Sequence, residues 1–160
     1  MIYKNKILAV IPARGGSKGI KLKNLKKINK KSLVEITAKC VSKCDFIDFA
    51  VLSTDHPKIA REGKKFGLSI IDRPKKLSGD KISDVNVLIH AISEIKKKFK
   101  KFDVIVMLHP TSPLRKPKHI NNAIQQIKNS KKADSLVSCI KVKHNFNPES
   151  LMTIDTKGIL

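Results

Sequence analysis

The run Ile7-Leu8-Ala9-Val10-Ile11, followed by Pro12-Ala13-Arg14-Gly15-Gly16-Ser17-Lys18-Gly19-Ile20-Lys21-Leu22-Lys23-Asn24, decides the fold. An unbroken apolar run of this length marks a strand buried on both faces, as in parallel sheets covered by helices on either side. The loop after it is glycine-rich and basic. Its glycines let the backbone turn sharply and approach a ligand closely. Exposed N–H groups in such a loop cradle phosphate oxygens, and Arg14, Lys18 and Lys23 supply fixed positive charge suited to a triphosphate. The order of residues is not that of a Walker loop, because Lys18 precedes Gly19. It is not the dinucleotide fingerprint either, since only Gly16 and Gly19 have the required spacing.

Outward from this stretch, strands and helices alternate. Ser32 caps a predicted helix whose stripe is Leu33, Ile36, Thr37, Cys40, Val41 and Cys44. Phe49 to Ser53 reads as a second strand. Asp55 precedes a helix from His56 to Phe66 that stops at Gly67, and Leu68 to Ile71 forms a third strand. Ser83 or Asp84 caps a helix with apolar positions Val85, Leu88, Ile89, Ile92, Ile95 and Phe99. Asp103 to Leu108 is the next buried strand. Pro117 opens a helix carrying Ile120, Ile124 and Ile127, and Leu136 to Val142 reads as a further strand. Asp155-Thr156-Lys157-Gly158 has the composition of a turn. The alternation predicts an α/β fold with a mostly parallel sheet, flanking helices and right-handed crossovers. In such sheets ligands bind beyond the carboxyl ends of the strands. Arg14 to Asn24, Ser53-Thr54-Asp55, Arg73 with Asp80 to Asp84, and His109 to Arg115 all fall there.

The 160 residues fit one domain, residues 1–160. Apolar residues make up 41% and aromatic residues only 4%, so the core is aliphatic. Lys and Arg total 34 against 13 Asp and Glu, a net charge of +21 that would attract any polyanion. The excess is mostly Lys, spread along the chain and not interleaved with aromatics, which favours a solvated surface over a nucleic-acid interface. It also suits a protein whose small-molecule partners are anions. No apolar run approaches the roughly 20 residues of a membrane span. The first apolar stretch breaks at Pro12 without a cleavage pattern, which argues against a signal peptide. Cys40, Cys44 and Cys139 lack the spacing of a disulfide framework, so a reducing, cytoplasmic setting is expected, with Cys40 and Cys44 as small buried hydrophobes.

Ile11 to Asn24 resembles the signature loop of the N-acylneuraminate cytidylyltransferases, also called CMP-sialic acid synthetases. Ser53-Thr54-Asp55, Arg73-Pro74 and Pro110-Thr111-Ser112-Pro113-Leu114-Arg115 match later motifs of that family in the same order. The resemblance runs from about Ile7 to Val142. It implies a Rossmann-like nucleotide-sugar transferase sheet and a nucleotidyltransferase that joins CTP to an acidic nonulosonic sugar, giving CMP-sugar and pyrophosphate. It further implies that Arg14, Gly15, Gly16, Ser17, Lys18, Lys23, Asn24, Arg73 and Ser83 bind CTP. Arg14 and Lys23 would serve catalysis, and His109, Thr111 and Ser112 would meet the sugar.

Three departures qualify the match. His109 stands where the family usually has Gln, which leaves legionaminic, pseudaminic or deoxyoctulosonic acid open as the sugar. Near Ile82, where relatives carry hydroxyls, the polar groups are Asp80, Ser83 and Asp84, and helix capping accounts for Ser83 and Asp84 equally well. Family members are also longer: their later region brings further strands, a dimerisation segment and the Asp pair that binds Mg²⁺. A C-terminally truncated chain is therefore expected, with Mg²⁺ as the family cofactor but no metal ligand of its own. An inactive nucleotide-binding remnant is the alternative.

Overall fold

The computed structural model describes residues 6–97, 101–139 and 141. A parallel four-stranded sheet of order β5-β4-β1-β6 organises the fold. Its strands are β1 (Ile7–Pro12), β4 (Phe49–Thr54), β5 (Ser69–Asp72) and β6 (Val104–Met107). Two short strands, β2 (Lys27–Ile28) and β3 (Lys31–Ser32), form a separate antiparallel hairpin. The helices are α1 (Leu33–Val41), α2 (Pro57–Lys65), α3 (Asp84–Lys96) and α4 (Pro117–Asn129). The chain divides into two compact units, Met1–Gln125 and Gln126–Leu160.

β1 is the centre of the first unit and explains the layering. Its side chains alternate between two cores. Ile7, Ala9 and Ile11 join Val34, Ala38 and Val41 of α1, Ile59 of α2 and Ile120 and Ile124 of α4. Leu8 and Val10 join Val51, Ile71 and, from α3, Ala91 and Ile95. A strand covered on both faces has no place for a polar residue, which is why its sequence reads as an unbroken apolar run.

The caps follow the sequence. Ser32 Oγ accepts the Glu35 N–H at 3.0 Å and donates to Glu62 Oε1 at 2.7 Å, so it starts α1 and ties it to α2. Gly67 takes φ +81° after α2, the left-handed conformation expected of a glycine that ends a helix. Within α2, a Cβ on Gly63 would drive into Leu52, so this glycine lets the helix approach β4.

Four readings need correction. α3 buries only part of the predicted stripe: Ile95 is buried and Leu88 packs half-buried on the core, but Val87 and Ala91 complete that face, whereas Val85 and Ile89 are 61% and 60% exposed. The small Ala91 sets the close face against the sheet, so side-chain size was the wrong guide. Phe99 lies outside the described residues. Among the described residues β6 lies at the edge of the sheet, with half-buried side chains rather than fully buried ones. Leu136 to Cys139 and Lys141 form no strand, because a strand needs a ladder partner and these residues have none among those described; Ile140 and Val142 lie outside them. The β2–β3 hairpin was not foreseen. Its turn residues Asn29 and Lys30 have φ of 46° and 65°, a type I′ geometry in which Asn is a favoured first residue. The proposed turn at Asp155 lies outside the described residues.

Cys40 and Cys44 are buried in the α1 core, and Cys139 is exposed. Burial pushes the Cys44 thiol up from 9.0 to about 11, as expected of a sulfur serving as a small apolar group. No helix among the described residues is long and apolar enough to cross a membrane.

Candidate functional site

Sheet register builds the site. The β1 ladder continues past Pro12, where the Ala13 N–H donates to the Ser53 carbonyl at 2.9 Å. The same carbonyl accepts Arg73 Nη2 at 2.6 Å, and Arg73 Nε donates to Ser53 Oγ at 3.1 Å. The Arg73 N–H bonds the Thr54 carbonyl at 2.8 Å. The ends of β1, β4 and β5 are thus locked together, and each delivers one polar segment to the same edge. The loop after β6 adds the fourth, because Leu108 N–H donates to the Val10 carbonyl at 3.0 Å.

The first loop is held by specific contacts. The Gly15 N–H donates to Asp55 Oδ1 at 2.8 Å, and a Cβ on Gly15 would collide with the His56 ring. Gly15 is therefore required by packing, and its amide is already engaged. A Cβ on Gly16 or Gly19 would meet nothing within 4 Å. The one left-handed residue in the loop is Leu22, with φ 49°, not a glycine. Buried Asn24 donates through Nδ2 to the Arg14 carbonyl at 3.0 Å, so it braces the loop from inside.

These segments enclose a cavity of about 690 Å³. Of the residues singled out by sequence, Arg14, Ser17, Lys18, Lys23, Asn24, Arg73, His109 and Thr111 line it. Gly15, Gly16, Ser83 and Ser112 do not. Ser83 caps α3, its Oγ accepting the Asn86 N–H at 3.4 Å. Ser112 sits in the turn after β6, where its N–H bonds the His109 carbonyl at 3.3 Å. Arg115 holds that turn from outside the cavity, with Nη2 donating to the same carbonyl at 3.2 Å.

The cavity's charge is unevenly compensated. Arg73 is 7% exposed and makes no ion pair among the described residues. Burial lowers the pKa of its guanidinium, and the nearby charge of Asp55 partly restores it. Arginine stays charged even so, so a buried cation lines the cavity, hydrogen-bonded to Ser53 and acted on by Asp55 and Asp84 without an ion-pair contact. Arg14 is paired differently: Nη2 meets Asp80 Oδ1 at 2.7 Å and Nη1 donates to the Ser78 carbonyl at 3.3 Å. Lys18 Nζ lies 2.8 Å from the other oxygen of Asp80. Hydrogen bonds from Lys18 and Arg14 hold the Asp80 carboxyl below its ordinary pKa. Opposite, His109 Nε2 is 3.3 Å from Asp84 Oδ2.

Sequence reasoning placed the cations but gave little weight to the acids. Asp55 anchors the loop, Asp80 bridges two cations and Asp84 orients His109. Their signal was weak: isolated carboxylates within basic segments at strand ends. The described residues contain no group of three or more His, Cys, Asp or Glu able to hold a metal ion. Beside the cavity, Asp80 is paired with Arg14 and Lys18, and Asp84 lies against His109.

Comparison with known proteins agrees with this arrangement. Over 159 residues, the chain is 35% identical to the CMP-N,N'-diacetyllegionaminic acid synthase of Legionella pneumophila, covering 97% of this chain and 66% of that protein. It is 30% identical to the N-acylneuraminate cytidylyltransferase of Escherichia coli, covering 84% of this chain and 31% of that one. The chain thus spans from about a third to just under two thirds of the length of these relatives. The solved structure of a CMP:2-keto-3-deoxy-manno-octonic acid synthetase complexed with CTP superposes with a TM-score of 0.67 at 22% identity. It covers 79% of this chain and 49% of that chain, a likeness of fold. The family profile described as Cytidylyltransferase matches residues 8–158, a span that takes in the first loop, the strand ends and the turn after β6. By that match, and by the cationic cavity those segments build, the chain belongs to the cytidylyltransferase family.

Proposed function

We propose that the cavity binds CTP and that residues 1–160 are the nucleotide-binding domain of an enzyme that transfers CMP to an acidic nonulosonic sugar. The observation that carries this reading is Arg73: a buried guanidinium with no carboxylate at ion-pair distance among the described residues, lining a cavity shared with Arg14, Lys18 and Lys23. A buried charge is costly unless compensated, and an anionic nucleotide compensates it.

In the proposed reaction the sugar's anomeric hydroxyl attacks the α-phosphorus of CTP. A new P–O bond forms, the bond to the β-phosphate breaks, and pyrophosphate leaves with the electron pair. Arg14 and Lys23 stabilise charge on the transferring and leaving phosphates, and Ser17 and Lys18 hold the tail. Catalysis is then mainly positioning and electrostatic stabilisation. Asn24 acts through the Arg14 carbonyl it holds, and Ser83 through the start of α3. His109 and Thr111 face the side left for the sugar, with Ser112 in the same turn. The Legionella relative points to a diacetylated legionaminic-type sugar within that class. Mg²⁺, dimerisation and a cytoplasmic setting belong to this reading as family traits, and no step here is routed through the metal.

The test is thermal melting of the chain with CTP, and with UTP and ATP as controls. A ligand at about 100 times its Kd adds about 2.7 kcal/mol to stability. A rise with CTP that UTP and ATP do not give supports the reading. A cooperative melt that no nucleotide moves sinks it.

A further inference from the structure

Asp80 places each carboxylate oxygen on a different cation: Oδ1 on Arg14 at 2.7 Å and Oδ2 on Lys18 at 2.8 Å. Both cations line the cavity, as does Asp80 itself. Bridging two cations through two oxygens is what a phosphate group would do in the same place. The pairing is long-range: the segment after the Lys75–Leu77 turn reaches across to the first loop, where the Ser78 carbonyl also accepts Arg14 Nη1. Asp80 is exposed and Lys18 more so, with 82% of its side chain accessible, so the pairing lies at the cavity mouth rather than in the core. Surface pairs of this kind contribute little to stability and exchange readily.

We infer that Asp80 is a built-in counter-anion that occupies a phosphate position between Arg14 and Lys18 until a polyphosphate displaces it. The inference rests on Arg14 and Lys18 being phosphate contacts. A ligand that recruits both cations must first open the pair, and its apparent affinity falls by the fraction of molecules in which the pair is open. A triphosphate has enough charge and enough oxygens to do so. Orthophosphate pays the same factor out of a much smaller gross affinity, so its occupancy becomes negligible. Asp80 thereby protects a strongly basic site, on a chain of net charge +21, from the small anions that such a site would otherwise collect.

The probes are inorganic tripolyphosphate, pyrophosphate, CTP and cytidine, measured by calorimetry on the whole chain and on Asp80→Asn. The variant is expected to bind tripolyphosphate and CTP more tightly by one common factor, about three- to thirtyfold, with cytidine unchanged. In a Lys18→Met background this gain should shrink, because one of the two displaced contacts is already gone. Asp80→Ser must repeat the pattern, and melting curves confirm that each variant is folded. Unchanged or weaker polyphosphate binding in both Asp80 variants overturns the inference. So does a gain that climbs with ligand charge from pyrophosphate to tripolyphosphate, which would mark a general field effect. If the gain appears but CTP binds no better than UTP, the cytidine reading falls and the role of Asp80 stands. If CTP is preferred but Asp80→Asn changes nothing, the reverse holds. If neither protein binds any polyphosphate, both fall.

Discussion

The two ends of the parallel sheet are made by the same strands and helices, yet they differ in size and in the charge they gather. At the carboxyl end, β1, β4, β5 and β6 run out into a cavity of about 690 Å³ lined by Arg14, Lys18, Lys23, Arg73, Asp80, Asp84 and His109. At the amino end there is a cleft of about 190 Å³, lined mainly by apolar side chains such as Val41, Cys44, Phe49 and Leu68. The difference follows from chain direction. Parallel strands all finish at one edge, so the loops leaving them are gathered there whatever their separation in sequence. The opposite edge receives chain returning from helices, and there the carboxylates of Asp103 and Asp48 accept the Lys6 and Ile7 amides beside the small cleft. Cationic side chains gather at the cavity end, and the shared layers between the ends supply the stability for both.

That division can be broken in the middle. Leu52 is fully buried in β4 and sits under Gly63 of α2. Leu52→Ala should cost about 2–5 kcal/mol of unfolding free energy, read from urea melts. The cavity end and the cleft end should be lost in one transition, and separate transitions for nucleotide binding and for the core would contradict a common scaffold. A smaller effect, confined to the carboxyl end, is expected of Arg14→Ala. Its guanidinium loses only exposed partners in the protein, so stability should hardly move, while CTP affinity falls by ~1.5–3 kcal/mol. Equal CTP affinity would remove Arg14 from the site. The smallest effect belongs to the amino end. Burial raises the Cys44 thiol from 9.0 to about 11, so between these values the folded chain holds a proton that the unfolded chain has released. Stability is complete below about pH 9 and declines as pH rises toward about 11. A Cys44→Ala variant should lose this alkaline slope and leave nucleotide binding unchanged. A slope that persists would assign it to another group.

Much of this contrast could be read from the sequence, and the part that could not has a physical cause. β1 was legible because burial on both faces leaves only apolar residues over five positions, a pattern no other local structure shares in front of a glycine-rich turn. Ser32 and Gly67 were legible because capping is local. The buried face of α3 was not, since Val85 and Ile89 are larger than Ala91, and only the sheet beneath the helix decides which face closes upon it. β6 was read as interior because an edge strand and a central strand of a parallel sheet differ in what lies beside them, not in their own residues. At the site, the cations were visible because they are many and sit in one motif. Asp80 and Asp84 acquire meaning only through Arg14, Lys18 and His109, partners that the fold brings from other segments. Ser83 shows the converse: a hydroxyl in a suggestive place whose local duty, starting a helix, is sufficient for it.

The carbonyl of Ser53 joins the Ala13 amide and the Arg73 guanidinium at one point. A backbone oxygen is the same whatever residue carries it, so no substitution at position 53 deletes this acceptor. Change at position 53 can alter only the hydroxyl that meets Arg73 Nε. The spacing between the first loop and the buried arginine is therefore inherited from the pairing of strands rather than written in the side chain at position 53. Variation around His109 is free to change what that turn presents to the cavity without loosening this frame.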